Sequence, residues 1–447
     1  MSARPVVAIV GRPNVGKSSL LNRLVGQRVA IVHDEPGVTR DRHYADAWGM
    51  GRPYIVVDTG GLDPESDDPM TQRIGRQVAI AVQEADVVVC VLDATTGPTN
   101  ADREAVKLLR SAGKPVIYAA NKADGPAAEA EISEMYRLGI DHVLAISALH
   151  GRGIGELERS IIAALPPLAP DDVAVAEGGP IRIALIGRPN AGKSSLVNRL
   201  AGTDRVIVDA APGTTRDPID TMVERGGHRY LLVDTAGIRR KGKVARESSP
   251  VEAVSVLHAM RAVERCQVAV LVCDAAEGVA EQDAKVLGMA VDRNRAIVIA
   301  LNKLDLLPDA RGDKLEVDAR DKLSFVPWAP IVRVSATTGR GVDNLLVAVR
   351  KVHTDYKRRV GTGELNRFFE GVLALRPPPT MSGRSPRLNF ITQVESAPPL
   401  FVIMTNEPEH IHFSYQRFVT NQIRKTFGFE GVPIRVSYKK KRRRGDL

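Results

Sequence analysis

The sequence is poor in cysteine and aromatic residues, and it lacks long apolar runs. Its 3 cysteines, Cys90, Cys266 and Cys273, do not have metal-ligand spacing, so we interpret them as small buried residues rather than ligands or catalytic thiols. No apolar stretch approaches the roughly 18 residues of a membrane-spanning helix. "MSARPVVAIVG" indicates a first strand rather than a secretion signal. With 44% apolar and only 4% aromatic residues, the composition predicts a soluble, cytoplasmic globular protein without a membrane partner.

Positive charge is concentrated at one end of the chain. Residues 350–447 contain 19 Lys and Arg against 8 Asp and Glu, whereas the net charge of the whole chain is +9. The basic surplus therefore lies in the C-terminal part, which predicts a polyanionic partner there, nucleic acid above all.

Most of the chain is a tandem repeat, and its 447 residues suffice for about three domains. "GRPNVGKSSLLNRL" from Gly11 recurs as "GRPNAGKSSLVNRL" from Gly187. "PGVTRD" recurs as "PGTTRD", "DTGG" as "DTAG", "NKAD" as "NKLD" and "SAL" as "SAT", in the same order. Two whole domains are therefore duplicated.

Apolar strand-like runs alternate with amphipathic stretches in each copy, which predicts an α/β fold with a doubly wound, mostly parallel sheet. A small α+β unit follows them. The predicted division is a first domain at 1–165, a linker at 166–180, a second domain at 181–352, the α+β domain at 353–438 and a basic tail at 439–447.

The repeated motifs predict a phosphate-binding loop with Mg²⁺ in each copy. Gly11–Ser18 and Gly187–Ser194 both fit G-x-x-x-x-G-K-[ST] between a strand and a helix. Lys17 and Lys193 are predicted to reach the outer phosphates. The predicted Mg²⁺ ligands are Ser18, Thr39 and Asp58 in the first copy and Ser194, Thr215 and Asp234 in the second. Thr39 and Thr215 are alternatively simple loop residues.

Base identity is predicted by N-K-x-D, at 121–124 and 302–305. A carboxylate that accepts from guanine N1–H and N2–H₂ excludes adenine, which lacks this donor pair. The backbone of the following Ser-Ala pair is placed to contact the guanine oxygen. The expected ligands are therefore GTP and GDP.

The complete set of expected site residues is large. The nucleotide-binding positions in the first copy are Gly11, Arg12, Pro13, Asn14, Val15, Gly16, Lys17, Ser18, Asp58, Thr59, Gly60, Gly61, Leu62, Asn121, Lys122, Ala123, Asp124, Ser147 and Ala148. Those in the second copy are Gly187, Arg188, Pro189, Asn190, Ala191, Gly192, Lys193, Ser194, Asp234, Thr235, Ala236, Gly237, Ile238, Asn302, Lys303, Leu304, Asp305, Ser335 and Ala336. The catalytic candidates are Lys17, Thr39, Lys193 and Thr215.

Tandem copies of these motifs followed by a small basic α+β domain resemble the EngA/Der family of bacterial double GTPases over essentially the whole chain. The resemblance implies GTP hydrolysis in both P-loop GTPase domains and a C-terminal KH-like domain. It also implies a role in assembly of the large ribosomal subunit, with ribosomal RNA as partner. We expect a monomer.

The resemblance also bears on hydrolysis. Many related GTPases have a water-orienting Gln where this chain has Leu62 and Ile238. Relatives with this replacement are thought to use K⁺, which implies K⁺ ligation by Asn14 and Asn190 and slow, K⁺-stimulated turnover. Each asparagine alternatively only braces its loop.

The sequence leaves two alternative roles for each of two further segments. "RRKGKVARE" after Ile238 either docks on a partner in one nucleotide state or is a solvated loop. KH domains clamp RNA with a GxxG loop between two helices, but "GFEG" at Gly428 precedes the last strand. RNA contacts are then made through basic side chains, or the usual face packs against a GTPase domain.

The leading interpretation is a GTP-driven switch in ribosome assembly. The alternatives are a tRNA-modification-type GTPase, which would need an additional catalytic domain, and an RNA-binding module with one non-hydrolysing GTP site.

Overall fold

The computed structural model of the chain describes residues 4–26, 44–59, 79, 85–125, 132–167, 179–202, 220–235, 251–307, 312–380 and 386–440. The chain divides into two compact units. One consists of residues Met1–Ala176 and Arg246–Glu264, and the other of Glu177–Ala245 and Arg265–Leu447. The predicted domain limits stay predictions.

The first unit contains a six-stranded sheet with the order β2-β3-β1-β4-β5-β6. Only β2 and β3 pair antiparallel, while the other neighbours are parallel. The strands are β1 (Val6–Val10), β2 (Tyr44–Gly49), β3 (Arg52–Asp58), β4 (Val87–Asp93), β5 (Val116–Asn121) and β6 (Val143–Ala145). Every residue of β4 is buried, as expected of a central parallel strand covered on both faces.

The helices of this unit follow their strands. They are α1 (Lys17–Val25), α2 (Asn100–Arg110) and α3 (Ile154–Ala164). A capping box starts α2: Thr99 Oγ1 accepts from the Asp102 amide at 3.3 Å, and Asp102 Oδ2 accepts from the Thr99 amide at 2.9 Å. The cap leaves Asp102 at the end of the sheet where the strands finish.

The second unit contains an equivalent sheet with the order β12-β11-β10-β7-β9-β8. Its strands are β7 (Ile181–Ile186), β8 (Thr221–Arg225), β9 (His228–Leu232), β10 (Val268–Asp274), β11 (Ala296–Asn302) and β12 (Ile331–Arg333). The GTPase part of this unit has the helices α4 (Lys193–Gly202), α6 (Glu281–Asp292), α7 (Gly312–Lys322) and α8 (Val342–Lys357). Helix α5 (Val251–Arg265), which precedes β10 in the chain, belongs to the first unit up to Glu264. The duplicated α/β fold predicted from the repeat is confirmed.

The C-terminal residues form the predicted small α+β domain. Helix α9 (Thr362–Leu375) precedes β13 (Leu388–Ser396) and β14 (Pro399–Thr405), and α10 (Phe413–Phe427) connects β14 to β15 (Arg435–Lys440). Strand β14 pairs antiparallel with β13 and parallel with β15. One hydrophobic cluster runs from the second GTPase sheet into this domain, joining residues such as Val349, Val352, Phe401 and Phe429.

The "GFEG" segment lies in this joint. The Gly431 amide donates to the Trp328 carbonyl at 2.8 Å, and the Gly431 carbonyl accepts from the Ile297 amide at 2.7 Å. Gly431 has φ +67°, and a β-carbon there would crowd Val352 and the Ile297 carbonyl. Phe429 is fully buried. The segment therefore docks the C-terminal domain on the second GTPase domain. Packing against a GTPase domain was one of the two alternatives that the sequence left open for this domain, the other being RNA contact through basic side chains.

The three cysteines are buried, as predicted. Burial raises the pKa of the Cys90 thiol to about 12, and burial likewise raises the pKa of Cys273. Neither is suited to nucleophilic chemistry at neutral pH.

Candidate nucleotide-binding sites

The first phosphate loop connects β1 to α1. Asn14 adopts a left-handed conformation with φ 66°, and Gly16 does so with φ 92° at the start of the helix. A β-carbon on Gly16 would overlap the Asn121 side-chain amide. The loop and the unpaired amides of the first turn of α1 therefore gather at the carboxyl end of β1, where a helix N-terminus favours an anion.

The second loop repeats this geometry between β7 and α4. Asn190 has φ 64° and Gly192 has φ 93°. A β-carbon on Gly192 would overlap the Asn302 side-chain amide. The two loops are therefore the same structure as well as the same motif.

Each loop lysine closes its own loop. Lys17 Nζ donates to the carbonyls of Gly11 and Arg12 at 2.8 and 2.9 Å. Lys193 Nζ donates to the carbonyls of Gly187 and Arg188 at 2.7 and 2.5 Å. Burial lowers the pKa of Lys17, an effect that Asp58 partly opposes. Contact of either lysine with outer phosphates stays a prediction.

Ser18 and Asp58 lie together, as the Mg²⁺ prediction requires. Ser18 Oγ donates to Asp58 Oδ2 at 2.7 Å. Within the described residues no three His, Cys, Asp or Glu side chains form a metal cage. Mg²⁺ is usually held by one or two protein oxygens together with phosphates and water. A hydroxyl and a carboxylate beside the loop therefore fit this ion.

The equivalent acid of the second copy is placed differently. Asp58 is the last residue of β3 and pairs with Ile9, but β9 ends at Leu232, before Asp234. Asp234 therefore does not end its strand as Asp58 does. Asp234 has φ 58°, and its amide donates to Asp220 Oδ1 at 3.0 Å. This local hydrogen bond replaces the ladder.

An asparagine from the base-recognition motif ties each site together. Asn121 Nδ2 donates to the Val15 carbonyl at 2.7 Å, and Asn121 Oδ1 accepts from the Ala148 amide at 2.9 Å. The buried amide thus joins the phosphate loop to the Ser-Ala loop, so both are held against β5. We call this arrangement the asparagine bridge.

The second copy has the same bridge. Asn302 Nδ2 donates to the Ala191 carbonyl at 2.9 Å, and Asn302 Oδ1 accepts from the Ala336 amide at 3.0 Å. Ala148 and Ala336, predicted to face the guanine oxygen, are therefore fixed relative to their phosphate loops.

The motif lysines pair with acids that sequence reasoning did not single out. Lys122 Nζ lies 2.7 Å from Asp93 Oδ2, and Lys303 Nζ lies 2.6 Å from Asp274 Oδ2. Burial alone would raise the pKa of Asp93, but hydrogen bonds from Lys122 and Thr95 hold its pKa below the ordinary value. The repeated "LDA" and "CDA" at the ends of β4 and β10 were the available signal.

The same balance acts in the second copy. Burial would raise the pKa of Asp274, but the hydrogen bond from Lys303 and backbone amides keep its pKa low. These ion pairs fix the lysine stems beside the base pocket.

The carboxylates predicted to read guanine are exposed, and they differ in their support. Each Ser-Ala serine accepts from the amide three residues later, Ser147 Oγ from His150 and Ser335 Oγ from Thr338, both at 3.1 Å. Ser335 Oγ also donates to Asp305 Oδ1. Asp124 lies beside Arg152, which donates to the Asp124 carbonyl at 3.2 Å. Asp305 is thus oriented by its own Ser-Ala loop.

The loop arginines lie against acids in the first turns of α2 and α6. Arg188 Nε donates to Asp283 Oδ2 at 2.9 Å, and its amide donates to Asp283 Oδ1 at 3.2 Å. Arg12 Nε lies 3.5 Å from Asp102 Oδ2. Asp102 and Asp283, at the third positions of α2 and α6, are positioning residues that the sequence reasoning missed. Their equivalent places in the repeat were the available signal.

The remaining predicted residues fall into two groups. Thr59 Oγ1 donates to the Ile9 carbonyl at 2.8 Å, and Thr235 Oγ1 lies 2.8 Å from Thr221 Oγ1, so both hydroxyls are used within their sheets. Ala123 and Leu304 are held by their backbone amides. Outside the described residues lie Thr39, Gly60, Gly61, Leu62, Thr215, Ala236, Gly237 and Ile238, together with most of the predicted linker and tail and the "RRKGKVARE" segment.

None of the helices in the described part of the chain is long and apolar enough to cross a membrane.

Two six-stranded sheets, each with a phosphate loop, a guanine motif and an asparagine bridge at the carboxyl ends of its strands, define a tandem P-loop GTPase. Family models agree with this class. The model "50S ribosome-binding GTPase" matches residues 6–122 and 182–303, and "KH-domain-like of EngA bacterial GTPase enzymes, C-terminal" matches 359–439. The chain belongs to the GTPase Der (EngA) family.

Curated relatives are similar over nearly the whole chain. The identity to GTPase Der of Moorella thermoacetica is 46%, covering 99% of this chain and 100% of that one. GTPase Der of Syntrophotalea carbinolica is 45% identical, covering 97% and 98%.

Solved structures match far less well. The chain is similar to Era in complex with MgGDPNP and part of 16S ribosomal RNA at TM-score 0.29 and 20% identity, covering 75% of this chain and 93% of that one. Scores this low carry no argument about the site or its partner.

Proposed function

We propose that this chain binds GTP with Mg²⁺ in both pockets, hydrolyses it, and uses its nucleotide state to control association with ribosomal RNA during assembly of the large ribosomal subunit. The observation that carries the proposal is the asparagine bridge, present twice with nearly equal distances. It couples the part of each site that would recognise a base to the part that would hold phosphates. The ribosomal partner is supported by the names of the matching family model and of the relatives.

The residues have separate roles in this proposal. Loop amides and Lys17 or Lys193 bind the phosphates, and Asp124 or Asp305 accepts from the guanine edge. Ser18 and Asp58 would hold Mg²⁺ in the first site, and Ser194 and Asp234 in the second. When bound, the ion neutralises charge on the phosphates and orients them. The proposed cellular location is the cytoplasm, and the proposed state is a monomer.

Hydrolysis in this proposal depends on K⁺. Leu62 and Ile238 cannot orient water by hydrogen bonding, so the cation would take the place of an arginine finger beside Asn14 and Asn190. Both asparagines are exposed at the turn of their loops, which supports their access to a ligand. We expect phosphate release to be faster in K⁺ than in Na⁺, and Asn14→Ala and Asn190→Ala to remove the difference. Equal rates in the two salts would refute K⁺ dependence.

Calorimetry with GTP, GDP and ATP tests the nucleotide assignment. Two guanine nucleotides should bind per chain, and Lys17→Ala or Lys193→Ala should each weaken one site at least tenfold, as expected for loss of a hydrogen bond to a charged group. Lys107→Ala and Lys285→Ala, exposed lysines of α2 and α6, are matched controls. Absence of guanine nucleotide binding, or preference for ATP, would overturn the proposal.

Sedimentation with large ribosomal subunits tests the partner. The chain should co-sediment in one nucleotide state and not the other, and the two lysine variants should differ from each other. Identical sedimentation in GDP and a non-hydrolysable GTP analogue would refute the switch.

A second candidate is supported by the different placement of Asp58 and Asp234. In it, the second site binds GTP without hydrolysing it. Phosphate release by the Lys17→Ala variant, measured at a GTP concentration that fills only the second site, distinguishes the two candidates: measurable turnover would exclude the non-hydrolysing site.

A further inference from the structure

One face of the C-terminal sheet carries exposed or half-buried side chains around a buried Val402. We call it the open face and define it by Phe390, Thr392, Met404, Arg435, Ser437 and Lys439. Strand register places Phe390, Met404 and Lys439 in one row across the three strands. Thr392 and Ser437 flank Val402 in the next row.

The opposite face is the one that packs. Ile391, Phe401 and Ile403 belong to the hydrophobic core formed with α9 and α10, and Tyr438 packs against that core. Because alternate residues of a strand point to opposite faces, their neighbours point away from the helices. Phe390 is accordingly 40% exposed although it lies in a strand.

The usual RNA-clamping element of a KH domain is not available for that role here. The only glycine-flanked loop of this type among the described C-terminal residues, 428–431, is hydrogen-bonded into the joint with the second GTPase domain. Arg424, at the end of α10, lies over the Trp328 ring at 4.7 Å and donates to the Phe429 carbonyl. The Arg424 side chain is therefore also engaged within the joint.

The open face combines the groups that single-stranded RNA uses. Phe390 offers an exposed ring on which a base can stack. Lys439 lies two strand spacings away in the same row, roughly 10 Å, within reach of a backbone phosphate. Thr392 and Ser437 supply hydroxyls in the next row of the same face. Arg435 adds a second cation, only loosely paired with Glu395 at 4.0 Å.

The sequence is strongly basic at and after the end of this strand. Lys440 ends β15, and the chain goes on as "KRRRGDL". A basic edge next to an aromatic ring matches a polyanion with exposed bases better than it matches a neutral partner.

The outer edge of the sheet is less suited to a protein strand. Asn366 of α9 donates to the Ile391 carbonyl at 3.0 Å and accepts from the Ile391 amide at 3.1 Å. These are backbone groups of edge strand β13 that an added strand would need. The occupant favoured by the structure therefore lies on the face, not along the edge.

We propose that the open face binds single-stranded RNA, with one base stacked on Phe390 and the backbone phosphates held by Lys439 and Arg435. This assignment rests on the proposed association with ribosomal RNA and specifies where one RNA segment is bound.

Fluorescence anisotropy with the full chain and a labelled single-stranded RNA oligonucleotide tests the stacking. Phe390→Ala should weaken binding about tenfold, the range of one lost base stack, and Phe390→Tyr should restore it. Phe413→Ala, at an exposed phenylalanine on α10, is the matched control and should change nothing. Equal affinities of wild type and Phe390→Ala, or equal losses in both alanine variants, would overturn the proposal.

The cations are tested by salt dependence. Replacing Arg435 and Lys439 together by glutamine should reduce the slope of log affinity against log salt by about 1.4, or about 0.7 for each lost phosphate contact. Lys425→Gln, an exposed cation of α10, should leave the slope unchanged. A duplex RNA of the same length should respond little to Phe390→Ala, because its bases are already stacked.

Two controls separate this proposal from the proposed function. The Phe390→Ala variant should bind and hydrolyse GTP as the wild type does; failure of the wild type to do so refutes the proposed function alone. If wild type co-sediments with ribosomal subunits but does not bind the oligonucleotide, the open-face assignment is refuted while the switch stands. Loss of co-sedimentation in Phe390→Ala with unchanged RNA affinity would instead indicate a protein partner and would also refute it.

Discussion

The two GTPase sites share one part of their structure and differ in another. The asparagine bridge is nearly the same in both, with corresponding distances of 2.7 and 2.9 Å to the phosphate loop and of 2.9 and 3.0 Å to the Ser-Ala loop. The contact between the loop arginine and its helix aspartate, which we call the arginine clamp, differs: Arg188 lies 2.9 Å from Asp283, whereas Arg12 lies 3.5 Å from Asp102. The equivalent acids Asp58 and Asp234 differ as well, because only Asp58 belongs to its strand. The duplicated part fixes loops relative to one another, whereas the divergent part involves residues predicted to bind phosphate and Mg²⁺.

The largest expected effect is the loss of the asparagine bridge. Asn121→Ala and Asn302→Ala should each cost about 3 kcal/mol locally, because each leaves a buried carbonyl and a buried amide without partners. Hydrogen exchange in the phosphate loop of the altered domain should then accelerate by about a hundredfold. Exposed Asn22→Ala and Asn198→Ala are the controls. A strong effect in only one domain would contradict the equivalence of the bridges.

The arginine clamp should show the difference between the sites. Asp283→Ala should cost about 1–3 kcal/mol at the second phosphate loop, because it removes two hydrogen bonds to Arg188. Asp102→Ala should cost less at the first loop, and Asp283→Asn should recover part of the loss. Guanine nucleotide affinity, measured with the other site disabled through its loop lysine, gives both values. Equal losses of nucleotide affinity in Asp283→Ala and Asp102→Ala would show that the shorter Arg188–Asp283 contact does not affect binding.

Substitution of the proposed Mg²⁺ ligands is expected to have a smaller effect on GTP binding. Ser18→Ala should weaken Mg²⁺-dependent GTP binding about tenfold by removing one of the two proposed oxygen ligands, about 1.4 kcal/mol. Ser194→Ala tests whether the displaced Asp234 leaves its site less dependent on Mg²⁺. The neighbouring exposed serines, in Ser19→Ala and Ser195→Ala, control for helix effects. Mg²⁺ titrations that do not distinguish Ser18→Ala from Ser19→Ala would exclude the assignment.

The smallest effect concerns pH. The pKa values of Asp93 and Asp274 lie below the ordinary 3.8, so each ion pair stabilises the fold above that pH and loses its contribution as pH falls through the lowered pKa. Because Lys122 and Lys303 are about a third exposed, each pair should contribute at most about 1 kcal/mol. Asp93→Asn and Asp274→Asn should therefore be less stable than wild type at neutral pH, and the difference should shrink as pH falls below 3.8. A difference that persists in acid would mean that the loss is one of packing.

How far the sequence predicted this structure depends on the range of the interactions. The apolar runs of β4 and β10 and the glycines of the phosphate loops were predicted because each acts through its own neighbours. Asp93 and Asp274 were missed because their partners directly follow the next strand of the sheet, and only sheet order brings them together. The bond of the Asp234 amide to Asp220 was not predictable either, because the two residues are brought together by the β8–β9 pair.

The C-terminal domain shows the same limit. Its helices and strands were predicted from their patterns, and the order of "GFEG" in the sequence cast doubt on an RNA clamp. The hydrogen bonds of Gly431 to Trp328 and Ile297 join distant parts of the chain and left no local signal. In the GTPase domains, Gly60, Gly61 and Leu62 after Asp58, and Ala236, Gly237 and Ile238 after Asp234, lie outside the described part of the chain, so their roles stay predictions.

The docked "GFEG" segment has a practical consequence for anyone who dissects this protein. Truncation before Thr362 would remove Phe429 and Gly431 and uncover Val349 and Val352 on α8, and the excised C-terminal fragment would present the apolar surface that had covered them. Neither piece should stay monodisperse in a concentrated preparation. The smallest fragment worth purifying for the C-terminal half therefore begins near Ile181 and runs to the last residue.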